Sequence, residues 1–304
     1  MPSKPTVSVI ICTFNRKDWL GRCLEGMDKL TIRPEETIVV DGPSTDGTRQ
    51  MVEEAEREGR LRLVAQARLE GISAARNLGL NVVQGEVVCF IDDDAIPAPD
   101  WLEGILSGYT GPKIGGVGGP VNHMDGRLAM GQNAVDPYGD WFDASKGEDV
   151  RGKYPVMVGC NMSFRTKVLR EVGGFDPYFR YHQDETDACL RVDLAGYEIS
   201  YVEKAVVRHE WCEGSYRKDM LRWYLRLRYL WGRNNAHLVS KNFSGKVTMG
   251  DYFRHHLSRT IRRRAPASQS SEPAKSGSTK VSRVMSVVGS LFEMTGSISG
   301  WRNG

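Results

Sequence analysis

The sequence predicts an α/β fold: a Rossmann-like, mostly parallel sheet flanked by helices, with a C-terminal helical extension. Three observations predict it. Strand-length apolar runs alternate with helical patterns through the first hundred residues, the signature of βαβ units. Polar groups gather just beyond the ends of those strands, where ligands bind in such sheets. A basic segment with helical spacing follows residue 215.

Val7 to Cys12 reads as a buried strand ending at Thr13-Phe14-Asn15. Lys17 to Leu30 reads as a helix, because Trp19, Leu20, Cys23, Leu24 and Met27 recur at helical spacing. Thr37 to Val40 is a second strand, ending at Asp41-Gly42-Pro43-Ser44. Thr48 to Glu58 is a helix stopped by Gly59. Leu61 to Val64 and Ile72 to Val82 form the next strand and helix, and Glu86 to Ile91 the fourth strand. Beyond Trp101 the pattern changes. Gly-rich Ile114 to Val121 reads as a strand crossing the sheet, and 122–153 as a long functional loop. A strand is expected at Val156 to Gly159, helices at Arg165 to Glu171 and Glu185 to Ala195, and short strands at Tyr197 to Tyr201 and Ala205 to His209. Arg217 to Asn234 is a strong helical pattern. These readings divide the chain into a domain over 1–215, with halves 1–121 and 122–215, and a basic helical extension over 216–264. A Ser/Pro/Ala/Lys-rich linker follows at 265–280, and an amphipathic helix at 281–304.

Composition narrows the function classes. The chain has 304 residues, 40% hydrophobic and 26% charged, and no run approaches the roughly 18 apolar residues of a spanning helix. The first six residues lack the apolar stretch of a secretion signal. The six cysteines are scattered without a C-x-x-C pair, which reads as reduced core residues, not a zinc site or disulfide frame. A cytoplasmic protein is expected, with peripheral contact at the inner face of a membrane as an extension of that reading. The formal charge of +3 hides a split: 24 Lys/Arg against 34 Asp/Glu over 1–215, then 13 against 2 over 216–264.

The most informative residues are Asp92, Asp93 and Asp94, directly behind the apolar run that ends at Ile91. Adjacent carboxylates repel and are costly to desolvate unless a positive group neutralises them. A hard divalent cation does this, with substrate phosphates completing its shell. The pattern therefore points to a metal–diphosphate site at the C-terminal edge of a sheet. A solvated acidic turn is the plain alternative.

The motifs around this triplet resemble those of the family 2 glycosyltransferases. Val9 to Arg16 looks like that family's opening strand. Val39-Val40-Asp41-Gly42 with Ser44-Thr45-Asp46-Gly47-Thr48 resembles its second strand and loop. Gly71 to Gly79 is similar to its Arg-Asn-x-Gly helix, and Asp92-Asp93-Asp94 to its D-x-D motif. Gly173-Gly174-Phe175-Asp176, Asp184 to Asp187 with Leu190-Arg191, and Val207-Arg208-His209 follow in family order. The resemblance covers about residues 6–235. It implies a GT-A fold that binds a nucleoside-diphosphate sugar with Mn²⁺ or Mg²⁺ and inverts the anomeric centre.

Site residues follow from motif and chemistry together. Thr13, Asn15, Arg16, Asp41, Arg76, Asp92 and Asp93 are expected to bind the nucleotide. Asp41 can accept from a base N–H or a ribose hydroxyl, or cap a turn. Arg76 can hold the diphosphate or brace the aspartates as an ion pair. Asp92 looks placed for ribose and Asp94 for the metal; the metal set is Asp94, Asp92 and His209, which can ligate through a neutral imidazole. Transfer to a hydroxyl acceptor also needs a base. Glu185 falls on the family's base position and is the choice, but the family's Glu-Asp is Asp-Glu here, so Asp184 is the close alternative. Acids at a helix start can also serve only to favour that terminus. Asp187 and Arg191, four apart, read as an intrahelical pair.

The basic 216–264 segment suggests an anionic partner: its charge would suit anionic lipid, a polyanionic acceptor or nucleic acid, or be a solvated basic face, and of these no nucleic acid is expected. Lys218, Arg222, Arg226, Tyr229 and Arg233 share one helical face, opposite Met220, Tyr224, Leu227 and Trp231. That is equally an interfacial membrane helix or a packed helix with solvated charges. Asp219-Met220-Leu221-Arg222-Trp223 departs from the family's processive Q-x-x-R-W, which favours single-sugar addition. Two other classes are a sugar-1-phosphate nucleotidyltransferase, whose Gly-rich loop after the first strand is missing here, and a non-catalytic nucleotide-sugar-binding module.

Overall fold

The computed structural model describes residues 5–210, 220–262 and 293–301. In chain order these form β1 (Val7–Thr13), α1 (Lys17–Met27), β2 (Glu36–Asp41), α2 (Thr48–Arg57), β3 (Arg62–Ala65), α3 (Ile72–Val82), β4 (Val87–Asp92), β5 (Ala95–Pro97) and α4 (Trp101–Gly108). Then come β6 (Ile114–Gly118), β7 (Val121–His123), β8 (Leu128–Met130), β9 (Asn133–Val135), β10 (Trp141–Asp143), β11 (Tyr154–Val156) and β12 (Met162–Arg165). The remainder is α5 (Thr166–Glu171), α6 (Asp184–Leu194), β13 (Glu198–Tyr201), β14 (Val207–His209), α7 (Met220–Phe243) and α8 (Met249–Arg262). The chain divides into two compact units, one holding the α/β elements, the other 136–140 together with 212–304.

The first unit is built on a seven-stranded sheet in the order β13-β6-β12-β4-β1-β2-β3. All neighbours run parallel except β12, which is antiparallel to both β4 and β6. The predicted mostly parallel sheet is therefore the observed one. Val9, Ile11, Val39, Val88 and Cys89 are fully buried, as strands covered on both faces require. Each large apolar side chain so buried contributes about 1.5–3 kcal/mol. The stripe on α1 behaves as its spacing predicts: Leu20, Cys23 and Met27 face the core. A four-stranded sheet, β5-β14-β7-β8, and a three-stranded sheet, β10-β9-β11, complete the unit.

Four expectations need correction. The segment 114–121 is two strands in different sheets, because Gly119-Pro120 interrupts the ladder and Pro120 offers no N–H. The expected loop 122–153 holds β8, β9 and β10, strands of three residues each, too short for periodicity to reveal. The strand expected at 156–159 lies earlier, at β11. Above all β12, a central strand, was not expected: Ser163 interrupts its apolar pattern, yet is buried with its hydroxyl donating to the Val117 carbonyl at 2.6 Å.

The second unit contains α7, α8, residues 136–140 and the helical residues 293–301. The turn 136–140 thus groups with these helices, not with the domain expected over 1–215. It is held there by Asp140, which pairs with His255 at 2.7 Å and with Arg259, and by Tyr138, stacked on His255 at 4.1 Å between centroids. Helix α7 runs nine residues beyond the expected end at Asn234. Arg222 and Arg226 are exposed as expected, but Tyr229 and Arg233 are half-buried, so the two-faced division is incomplete. Gly296 and Gly300 lie against the backbone of Tyr229 and Arg233, where any side chain would clash. The expected linker and the stripe at 281–292 lie outside the described residues. No helix among the described residues is long and apolar enough to cross a membrane.

Candidate active site

Strand β1 ends at Thr13, β2 at Asp41 and β4 at Asp92, side by side in the sheet. The β4 carboxylates therefore meet side chains far away in sequence. The Thr13 hydroxyl donates to Asp93 at 2.7 Å. The Arg16 guanidinium donates to Asp93 at 2.8 Å and to Asp94 at 2.6 Å. His209 arrives by strand pairing: β14 lies antiparallel to β5 with His209 opposite Ala95, and the Glu210 N–H donates to the Asp94 carbonyl at 3.1 Å. The His209 Nε2 then lies 3.0 Å from Asp94 Oδ1.

Arg76 is the hub of the site's other side. It sits on α3 at 4% exposure, donating to Asp184, to Asp92 at 3.2 Å and to the Gly159 carbonyl at 3.1 Å. Of its two sequence readings the structure shows the brace. Its guanidinium is buried and meets three protein acceptors, which is the arrangement a brace requires. The neighbouring Asn77 pins the turn that precedes α6: its amide donates to the Phe175 carbonyl at 2.7 Å and accepts from the Phe175 N–H at 2.9 Å. Gly71 begins α3 at φ +102°, and a Cβ there would lie 2.7 Å from the Arg180 backbone, so only glycine fits. Replacing Asn77 by alanine should cost about 1–3 kcal/mol by leaving both Phe175 backbone groups without partners. Urea unfolding checks this, and a wild-type midpoint would refute the pinning role.

Helix α6 presents Asp184 and Glu185 at its first turn. His182 and Gln183 just before it adopt left-handed backbone, at φ 63° and 67°. For non-glycine residues this costs roughly 1–2 kcal/mol each, and such strain persists where function fixes a geometry. Asp187 and Arg191 form the expected intrahelical pair at 2.8 Å, and Arg191 also donates to the Val172 and Gly174 carbonyls. Asp184 is 2% exposed and bound to Arg76, whereas Glu185 is less buried.

Of two expected ligand contacts, Asp41 turns inward and Asn15 stays exposed while engaging the same loop. Asp41 is 0% exposed, with one oxygen accepting from the Ser44 hydroxyl at 2.6 Å and the other from Arg49 Nε at 2.5 Å. In this geometry it organises the 42–49 loop and presents no oxygen to a base. Asn15 likewise accepts from the Thr45 N–H at 2.7 Å, while its own N–H donates to the Ser44 hydroxyl at 2.8 Å. Arg49 was missed by sequence reasoning; it lies one residue beyond the recognised loop and its pairing with Asp41 depends on the fold.

The electrostatics are uneven. Burial pushes the Asp93 carboxyl up to about 6 despite Arg16 and Thr13. Burial also raises Asp92, against the pull of Arg76. Burial would raise Asp94 too, but the His209 hydrogen bond and charge, with Arg16, hold it below the usual range. His209 is raised, Asp94 outweighing burial. Glu185 is raised well above the usual range by burial and by the charge of Asp184 beside it. The site thus joins a carboxylate–imidazole group to a carboxyl poised to take up a proton.

The sheet order with an inserted antiparallel strand, and carboxylates at its C-terminal edge, define a GT-A-type α/β fold. The description "Glycosyl transferase family 2" matches residues 8–173, and the chain belongs to that family. It is 30% identical over 222 residues to the glucosyl-dolichyl phosphate glucuronosyltransferase of Haloferax volcanii, covering 67% of this chain and 69% of that protein. Among solved structures it resembles the mannosyltransferase PcManGT of Pyrobaculum calidifontis, in complex with GDP-Man and Mn²⁺, at TM-score 0.59 and 18% identity over 100% and 89% of the two chains. It also resembles Staphylococcus aureus TarS 1–349 in complex with UDP-GlcNAc, at TM-score 0.56 and 16% identity over 98% and 89%. The structural neighbours are GT-A glycosyltransferases, as is this chain.

Proposed function

We propose that the chain is a metal-dependent, inverting transferase that moves one sugar from a nucleoside-diphosphate donor, uridine first, to a hydroxyl acceptor in glycan, glycolipid or other glycoconjugate synthesis. The observation behind this is the convergence of Asp92, Asp94 and His209 at one sheet edge, tied through Arg76 to Asp184, the neighbour of Glu185 on α6. Asp92 and His209 each bring a donor atom into one cluster, all within 4.8 Å of one another, and Asp94 adjoins His209. Carboxylate oxygens and an imidazole suit Mn²⁺ or Mg²⁺, so Asp92, Asp94 and His209 would hold the cation. When bound, it supplies Lewis acidity to the donor's two phosphates.

The residues do the rest. Arg16 and Thr13 hold Asp93 and Asp94 in register. Arg76 fixes Asp92 and Asp184, and Glu185, which Arg76 does not hold, is the carboxylate assigned to face an acceptor. Glu185 takes the acceptor hydroxyl's proton as its oxygen bonds to the anomeric carbon; the bond from that carbon to the diphosphate breaks, and the nucleoside diphosphate leaves. The base is assigned to the 41–49 loop, with Arg49, whose side chain is 25% exposed, as its polar contact in place of Asp41.

Release of nucleoside diphosphate, dependent on acceptor and Mn²⁺, tests the reading. Pyrophosphate release would indicate a nucleotidyltransferase, and neither product a binding module. Asp94→Ala should weaken Mn²⁺ binding by on the order of 10- to 100-fold, as even outer-sphere changes do, and abolish metal-dependent turnover; normal activity would refute the assignment. The lipid-linked substrate in the Haloferax relative's name supports screening lipid-linked acceptors first. We place the enzyme in the cytoplasm, with exposed Arg222 and Arg226 contacting an anionic membrane surface. Salt-sensitive cosedimentation with anionic vesicles checks that, and equal binding to neutral vesicles would refute it.

A further inference from the structure

Cys160 is a buried thiol that the reaction above does not use. It lies in the turn between β11 and β12 at 2% exposure, and its Sγ is in the same cluster as an Asp92 oxygen and a His209 nitrogen, all mutually within 4.8 Å. The turn is held from both sides. Gly159 before it accepts from Arg76 at 3.1 Å. Asn161 after it is 0% exposed and makes three side-chain hydrogen bonds: Oδ1 accepts from Trp101 Nε1 at 2.9 Å, and Nδ2 donates to the Pro120 and Ala205 carbonyls at 3.0 and 2.7 Å. The thiol therefore has a fixed place beside two metal-ligating groups. Among the described residues Cys160 is the cysteine whose Sγ belongs to this cluster; the Cys23 thiol turns instead to the Asp92 carbonyl, donating at 3.6 Å, and Cys12, Cys89 and Cys189 are not in the cluster.

Resting on the metal site proposed above, we propose that Cys160 is a sulfur donor to that site, which lets the thiophilic ions Cd²⁺ and Zn²⁺ displace Mn²⁺ and inhibit the enzyme. Metal–ligand bonds of about 2.0–2.3 Å place the donors of one ion up to roughly 4–5 Å apart, the span seen here. Sulfur selects Zn²⁺ and its soft congeners, whereas oxygen donors suit Mg²⁺ and Mn²⁺. The step is an exchange without redox: the thiol's S–H bond breaks, a sulfur–metal bond forms, and one proton goes to solvent.

The test is Cd²⁺ titration of the full chain without nucleotide, followed by thiolate-to-cadmium charge-transfer absorption, with Mn²⁺ binding measured separately by electron paramagnetic resonance. A one-to-one absorption is expected that persists in Cys12→Ala and vanishes in Cys160→Ala. Cd²⁺ affinity should fall on the order of 10- to 100-fold in that variant, with Mn²⁺ affinity little changed. Cys160→Ser, nearly isosteric, covers the case in which alanine unfolds the turn, and should behave alike. Absorption that survives both substitutions, or Cd²⁺ and Mn²⁺ affinities that fall in parallel, would overturn the proposal. Wild type binding Mn²⁺ without the absorption overturns it while leaving the metal site intact; failure to bind either ion overturns both.

Discussion

Glu185→Gln is expected to lower kcat by about 10²- to 10⁴-fold, the usual worth of a positioned base, with donor affinity unchanged. Glutamine keeps the size and cannot accept the proton. The donor contacts assigned above lie at the end of β4, on β14 and on the 41–49 loop, none of them on α6, so nucleoside-diphosphate binding should remain at the wild-type value. The competing choice, Asp184, is tied to Arg76 and buried, so Asp184→Asn should retain substantial turnover while altering its pH dependence. A protonated Glu185 cannot serve as base, so kcat should fall as pH drops through its raised pKa. Burial and the Asp184 charge both raise that value. Removing the charge in Asp184→Asn takes away one raising influence and leaves the Arg76 charge that opposes burial, so the acidic limb of the profile should move to lower pH. If Asp184→Asn abolishes transfer and Glu185→Gln does not, the roles are reversed.

Arg76→Ala is expected to destabilise the first unit by about 3–5 kcal/mol. Removing one partner of a buried ion pair leaves the other charge uncompensated, and here Asp184 and Asp92 both lose their partner. Arg76→Lys should recover only part of this, because one ammonium cannot reproduce a fork that spans α6, β4 and the Gly159 carbonyl. Urea unfolding measures the loss. A change under about 1 kcal/mol, the scale of a surface pair, would mean that Arg76 is not the brace proposed here.

Much of the fold was legible because βαβ repetition is local. Helix α3 was read to its observed limits, and α1, α2 and β4 to within a few residues, because each carries its own apolar pattern. The strands from β8 to β12 were not legible, for they have three or four residues apiece and draw their stability from partners. Ser163 shows the reason: it reads as a break in a strand, yet its hydroxyl finds the Val117 carbonyl across the sheet.

The sequence by itself determined the alternation that builds a parallel sheet, and the carboxylates and imidazole able to serve at its edge, because residue type and periodicity are properties of the chain. Only the tertiary structure decided who faces whom. Arg76 became a brace, Asp41 withdrew behind Arg49, His209 came to Asp94 through the β5–β14 ladder, and Cys160 came to the same cluster. These partners are separated by 8 to 115 positions, and their meeting depends on strand order and register, which no local pattern encodes.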